Sequence, residues 1–156
     1  MRRVILIGRS EAGKTTLKQA LEKRPLQYEK TQAVDFSDFI IDTPGEYAQG
    51  RRLSAALAVY SYEADIIGLT VQANEAFSLF SPNIACMANR DVIGIITKVD
   101  EPDANLPQAR LWLELAGCEK IFEISSYTGK GIEELLEYLN EEPAEETDIT
   151  VKAVRK

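Results

Sequence analysis

Five short apolar runs punctuate the chain, at residues 4–7, 39–41, 66–71, 92–96 and 121–124, and each is continuous rather than alternating. A run that is apolar at every position has no side to offer water. It therefore predicts a strand covered on both faces, as in a parallel sheet. Between the runs the period changes. Leu17 and Leu21 repeat at i+4, Leu53, Leu57, Tyr60 and Ala64 at i, i+4, i+7 and i+11, and Ile132, Leu135, Leu136 and Leu139 form a third stripe. Each stripe predicts an amphipathic crossover helix. Residues 107–117 predict a further helix that carries Trp112 inward and is closed by Gly117 just past its last turn. Ser81-Pro82 fits an N-cap followed by proline at the first helical position, so a short helix is expected to about Asn89. Strands alternating with helices predict an α/β, doubly wound domain with a mostly parallel sheet and ligand loops at the carboxyl ends of the strands. The domain is expected over residues 1–140. Residues 141–148 are an acidic linker around Pro143 and 149–154 alternate weakly like an edge strand, so 141–156 are expected to form a tail outside the core.

Composition narrows the chemistry. At 156 residues the chain is the size of one domain, large enough to bury about 70% of what its unfolded form exposes. A formal charge of −7 leaves no basic stripe for a nucleic-acid backbone. There is no histidine, which removes imidazole acid–base catalysis and histidine metal sites together. Chemistry must come from carboxylates, Lys, Arg, hydroxyls or a bound metal. Cys86 and Cys118 are too few and too far apart for a metal knuckle or a disulfide framework, which fits a reducing cytoplasm. The apolar run after Met1-Arg2-Arg3 is too short for a signal peptide, and no run approaches membrane-spanning length.

The first apolar run leads into Gly8-Arg9-Ser10-Glu11-Ala12-Gly13-Lys14-Thr15, followed by the helix-forming Thr16-Leu17-Lys18. This fits G-x-x-x-x-G-K-[ST], the phosphate-binding loop. A triphosphate needs many donors in a small space, and backbone N–H groups of a Gly-bounded turn entering a helix supply them, from Ser10 through Thr16. Lys14 places a point charge on the β- and γ-phosphates, and the Thr15 hydroxyl becomes a ligand for Mg²⁺.

Three later strands end in matching signals. Asp42-Thr43-Pro44-Gly45 puts a carboxylate where Mg²⁺ is held, and a Gly45 N–H able to sense a γ-phosphate. Thr97-Lys98-Val99-Asp100 fits [NT]-K-x-D: guanine offers two adjacent donors, and the Asp100 carboxylate accepts both. Lys98 lays its stem along the base with its head toward the phosphate loop. Thr97 stands where Asn is usual, as in Rho-type GTPases, which weakens one tether. Ser125-Ser126-Tyr127-Thr128-Gly129-Lys130-Gly131 resembles the S-A-x-x-G-x-G loop that contacts guanine O6, with Ser126 in place of Ala. Four such signals in order predict a small G-domain-like P-loop NTPase.

The phrases Tyr28-Glu29-Lys30-Thr31-Gln32-Ala33-Val34 and Asp42-Thr43-Pro44-Gly45-Glu46-Tyr47 resemble the EutP/PduV family of P-loop proteins. The likeness continues through Ala64-Asp65-Ile66-Ile67-Gly68, Phe80-Ser81-Pro82 and Asn89-Arg90-Asp91-Val92-Ile93-Gly94, and these are nearer the propanediol-side branch. It covers about residues 2–140 and leaves the tail out. The resemblance implies a role in ethanolamine or propanediol utilisation, in the cytoplasm at a bacterial microcompartment, with a shell or enzyme protein as partner. It also makes Thr31 the switch threonine that reaches Mg²⁺ and the γ-phosphate in the triphosphate state.

Glu46 departs from the efficient GTPase pattern, which has Gln or His to orient the attacking water. A carboxylate about 4 Å from a phosphate oxygen is repelled by roughly 4 kcal/mol per charge at an effective dielectric near 20. Glu46 must swing out, be protonated, or meet a cation or second substrate, unless it is a solvated loop residue. Arg51 and Arg52 follow it as a solvated helix face, a cis arginine finger or a clamp for a substrate carboxylate, and Phe77, Leu79 and Phe80 as core or as a docking patch. Three functions stay open: a slow GTPase-type module that recruits a partner, an ATP-dependent acetate kinase, and a targeting protein that binds nucleotide without turnover.

Overall fold

The structure, a computed structural model, describes residues 2–8, 13–21, 35–37, 40–42, 53, 55, 57–59, 62–76, 78 and 80–140, with backbone alone at 35–37 and 40–42. The apolar runs form strands β1 (Val4–Gly8), β3 (Ile40–Asp42), β4 (Ile66–Gln72), β5 (Asp91–Thr97) and β6 (Lys120–Glu123). A further strand, β2 (Asp35–Ser37), has no continuous apolar run of its own. Among the described residues these form one sheet in the order β2-β3-β1-β4-β5-β6. Five strands run parallel, and β2 lies antiparallel on β3 through Phe36↔Ile41.

Each central strand sends alternate residues to opposite faces, and both faces are buried. Ile5, Ile7, Ile67, Leu69, Val71 and Ile96 belong to one core with Leu53, Leu57, Ala109, Leu113 and Ala116. Val4, Leu6, Ile66, Ile93 and Ile95 belong to the other with Leu17, Leu21, Leu135 and Leu139. The first face is covered by the helical residues 53, 55 and 57–59 and by α2 (Leu106–Ala116), the second by α1 (Lys14–Leu21) and α3 (Ile132–Asn140). Burying an aliphatic side chain contributes about 1.5–3 kcal/mol. Two such layers hold a sheet this small, and the doubly wound architecture follows.

Local details differ from the sequence pattern in three places. In α2 the buried stripe is Ala109, Leu113 and Ala116, and Trp112 is half-buried at its flank. One residue is about 100° of helix rotation, so Leu113 excludes Trp112 from the inward position. The short helix after Pro82 is a 3₁₀ turn at Ile84–Met87, entered from Asn83 at φ 62° with no side-chain cap. Ser81 is not its N-cap. The Asn83 N–H donates to Leu115 O at 2.7 Å, which ties this loop to α2 and delays the turn. The stripe ending at Ala64 overshoots its helix, because residues 62 and 63 already turn. Ala64 is buried as part of the following connection. Phe80 is buried and packs in the first core; Phe77, Leu79 and Tyr60 lie outside the described residues, as do 141–156. Gly117 closes α2 at φ 106°, as its sequence position predicts.

Helix α2 approaches β5 closely because Gly94 has no side chain. A Cβ there would lie 2.8 Å from Leu113 Cδ1 and 3.1 Å from Leu113 Cβ. Gly94→Ala is expected to destabilise the fold by about 1–3 kcal/mol through overpacking. Thermal unfolding checks this, and an unchanged midpoint would contradict the packing.

Candidate functional site

Parallel pairing brings the carboxyl ends of the strands to one edge. Gly8 at the end of β1 pairs with Thr70 of β4, and Gln72 at the end of β4 pairs with Thr97 at the end of β5. The loops leaving these ends form the candidate site.

Gly8 lies so close to β4 that a Cβ would sit 2.5 Å from Thr70 O. Gly13 adopts φ +90°, a region costly for other residues, and its Cβ position is 3.4 Å from Thr97 Oγ1. The glycines of the phosphate-loop signature are thus required by one close approach and one left-handed turn. Lys14 opens α1, is only 5% exposed, and donates from Nζ to Gly8 O at 3.0 Å. Its charge is thereby bent back to the end of β1. Thr15 is half-buried and Thr16 buried in the same first turn. Asp42 ends β3 beside β1, paired with Leu6. Arg9, Ser10, Glu11, Ala12, Thr31, Gly45, Glu46, Arg51 and Arg52 lie outside the described residues.

The loops after β5 and β6 are described in full. Thr97 is buried, and its hydroxyl donates to Val71 O at 3.3 Å while its side chain packs on Gly13. The loop after β5 and the phosphate loop therefore touch directly. Lys98 sits at φ +60° and donates from Nζ to Gln72 Oε1 at 3.0 Å. Gln72 was not legible as a site residue. Its one signal is that the third apolar run turns polar at the carboxyl end of its strand. The loop after β6 is held by Ser125, fully buried, whose Oγ accepts from the Thr128 N–H at 3.1 Å. Gly131 closes it at φ +78°, where a Cβ would lie only 2.2 Å from Glu123 O.

A cavity of about 80 Å³ lies where these loops meet. Gly13, Thr16, Thr97, Lys98, Asp100, Ser126 and Tyr127 line it. Every one of these was singled out in the sequence, and they come from three separate loops. Asp100 and Tyr127 are exposed at its rim.

A strand, a glycine-bounded loop and a helix that begins with a buried lysine, set in a doubly wound parallel sheet, make this a P-loop NTPase fold of the small G-domain kind. The sequence model of the PduV-EutP family, described as "Ethanolamine utilisation - propanediol utilisation", matches residues 1–141. The chain belongs to that family. It is 42% identical over 141 residues to the propanediol utilization protein PduV of Citrobacter freundii, covering 90% of this chain and 94% of that one. It is 35% identical over 142 residues to the probable acetate kinase EutP of Escherichia coli K12, covering 89% of each. The GTPase Era of Corynebacterium glutamicum is 26% identical over 163 residues, covering 88% of this chain and 53% of that protein.

The residues present fit a nucleotide and its metal. The cradle has no room for a side chain at Gly8 and needs a left-handed turn at Gly13, and a hydroxyl and a carboxylate are the hard oxygen donors Mg²⁺ takes alongside phosphate. The loop after β6 depends on Ser125. Ser125→Ala leaves the part-buried Thr128 N–H without this acceptor, at a cost of about 1 kcal/mol. Amide exchange at Thr128 is expected to accelerate several-fold, and unchanged protection would show that Ser125 does not hold the loop.

Proposed function

We propose that this protein is a nucleotide-binding module of GTPase type, selective for guanine, that acts in ethanolamine or propanediol utilisation at a bacterial microcompartment. The single observation behind the guanine assignment is the cavity shared by Gly13, Thr97, Lys98, Asp100, Ser126 and Tyr127. A nucleotide bridging it has its phosphates on the loop 8–15 and its base on the loops after β5 and β6. Asp100 accepts from the two adjacent donors of guanine, a pairing adenine does not offer. Lys98 lies along the base, and the 125–127 loop presents backbone N–H groups to guanine O6.

On the phosphate side, N–H groups from Ser10, Glu11, Ala12, Gly13 and Thr16, with the N-terminal end of α1, hold the triphosphate, and Lys14 neutralises its β- and γ-oxygens. Thr15, Asp42 and, in the triphosphate state, Thr31 would hold Mg²⁺, which would supply charge stabilisation to the phosphates. Gly45 and Thr31 sense the γ-phosphate. Glu46 takes the place of the water-orienting residue, and its negative charge makes hydrolysis slow. A protein that turns over slowly and changes loop contacts with one phosphate is suited to recruiting a partner, here a shell or enzyme protein. The nucleotide domain spans 1–140, with 141–156 as its tail.

A second reading is favoured by the 35% identity to a protein named a probable acetate kinase. In it, ATP is the donor and Glu46, with Arg9, Arg51 and Arg52, serves the acceptor carboxylate or its cation. Product analysis separates the two readings: inorganic phosphate from GTP, or acetyl phosphate from ATP and acetate.

Asp100→Asn is expected to weaken GTP binding by about 1–3 kcal/mol, or roughly 5- to 150-fold, as one half of a charged two-donor contact is lost. Calorimetry in which the variant binds GTP like the wild type would remove Asp100 from base recognition.

Glu46→Gln gives opposite signs in the two readings. It removes the charge beside the γ-phosphate and installs a neutral group able to orient water, so GTP hydrolysis is expected to rise. As an acetate kinase the same variant loses acetyl phosphate formation. No change in either assay would make Glu46 a solvated loop residue.

A further inference from the structure

At the opposite edge of the sheet, the amino-terminal ends of β5 and β6 border a cavity of about 600 Å³. Its walls include Cys86 of the 3₁₀ turn, Arg90 and Asp91 entering β5, Glu119 and Lys120 entering β6, and Tyr138 near the end of α3. Arg2 stands beside it. The Arg2 guanidinium lies 4.6 Å over the Tyr138 ring and 3.8 Å from the Asp91 carboxylate. Lys120 Nζ is 5.6 Å from the same ring. Arg90 is fixed at the rim by Nε and Nη1 donating to Ala64 O and Asn89 O.

Charge at this pole runs against the rest of the chain. In the lining Arg90 and Lys120 balance Asp91 and Glu119, and Arg2 beside it adds one cation, in a protein of net charge −7. Asp91 is offset by Arg2. The Arg2 Nε is buried, with no hydrogen-bond partner among the described residues. Arg2 also closes the end of α3, its backbone N–H donating to Leu139 O and its guanidinium to Tyr138 O. The carbonyl end of that helix is therefore already compensated.

Helix α3 ends at Asn140, two residues beyond Tyr138 in the cavity wall. The next eight residues, 141–148, carry Glu141, Glu142, Glu145, Glu146 and Asp148 and no Lys or Arg. Extended, eight residues span up to about 26–29 Å, ample to cross a cavity of this size. We infer that this cavity is a carboxylate-binding site whose occupant is the chain's own acidic segment 141–148, held by Arg90 and Lys120. Exposed ion pairs are individually weak. Tethering makes them sufficient, because a short linker holds the carboxylates at effective concentrations in the millimolar range. Such contacts are screened by salt.

Cys86 supplies a native probe, because it is exposed and lines the cavity. Cys118, the other thiol in the chain, is buried and its pKa is pushed up to about 12 by desolvation, so a neutral alkylating reagent near pH 8 reads Cys86. Iodoacetamide is added to the full chain at low ionic strength. Alkylation is expected to quicken about 5- to 10-fold when Glu141, Glu142, Glu145 and Glu146 are all changed to Gln, the ratio two or three weak ion pairs produce. The double variant Arg90→Gln, Lys120→Gln is expected to quicken it similarly. A faster reaction in that variant reports uncovering of the thiol. High salt is expected to raise the unmodified protein's rate to that of the variants, a readout independent of any substitution. Equal rates throughout, a slower reaction in the cation variant, or protection that grows with protein concentration would each overturn the inference. The last result would place another copy's tail in the cavity.

Discussion

The candidate site depends on the parallel register that joins β1 to β4 and β4 to β5. Because both faces of these strands are apolar, hydrophobic patterning alone would tolerate a slip of one residue. Glycines remove that freedom. Gly8 lies against Thr70 O and Gly94 beneath Leu113, where a side chain would collide, and Gly68 fits tightly beneath Leu6 and Ile95. The register they enforce places Gly8, Gln72 and Thr97 at one edge. The loops that follow inherit their positions from that edge.

The consequence for chemistry is a direct coupling of the two halves of the site. Thr97 packs against Gly13 while its hydroxyl donates to β4, so the residue that opens the loop after β5 also buttresses the turn at Gly13. Lys98 is held in turn by Gln72 on β4. A ligand spanning both loops meets one packed unit, and the ordering cost at this junction has been met in folding. The buried Lys14 belongs to the same unit, its head group returned to the loop it leaves.

Much of this was legible in the chain. Continuous apolar runs with helical stripes between them carry a doubly wound sheet, because only a strand covered on both faces needs them. The phosphate-loop signature and the residues that line the cavity were legible because each sits at the end of such a run, with glycines where the backbone must turn. The edge strand β2 was not, since Asp35-Phe36-Ser37 has one apolar residue and is fixed by pairing with β3. The depth of Trp112 was misread because a stripe defines a face, while the neighbouring Leu113 decides which residue occupies its centre. Gln72 could not be found from any motif, as its role arises from the register of β4 on β5. The 3₁₀ turn after Asn83 is likewise set by a tertiary hydrogen bond to Leu115.

The central claim is that Asp100 and its neighbouring loops read a guanine base in the cavity at the strand ends. Calorimetric titration of the full chain with GDP, IDP and ADP in Mg²⁺ tests it most directly, since inosine keeps the ring N–H of guanine but lacks its exocyclic amine. Two donors meeting one carboxylate predict that GDP binds tightest, IDP weaker by about 1–2 kcal/mol for the lost charged hydrogen bond, and ADP weakest. ADP binding as tightly as GDP would contradict the account.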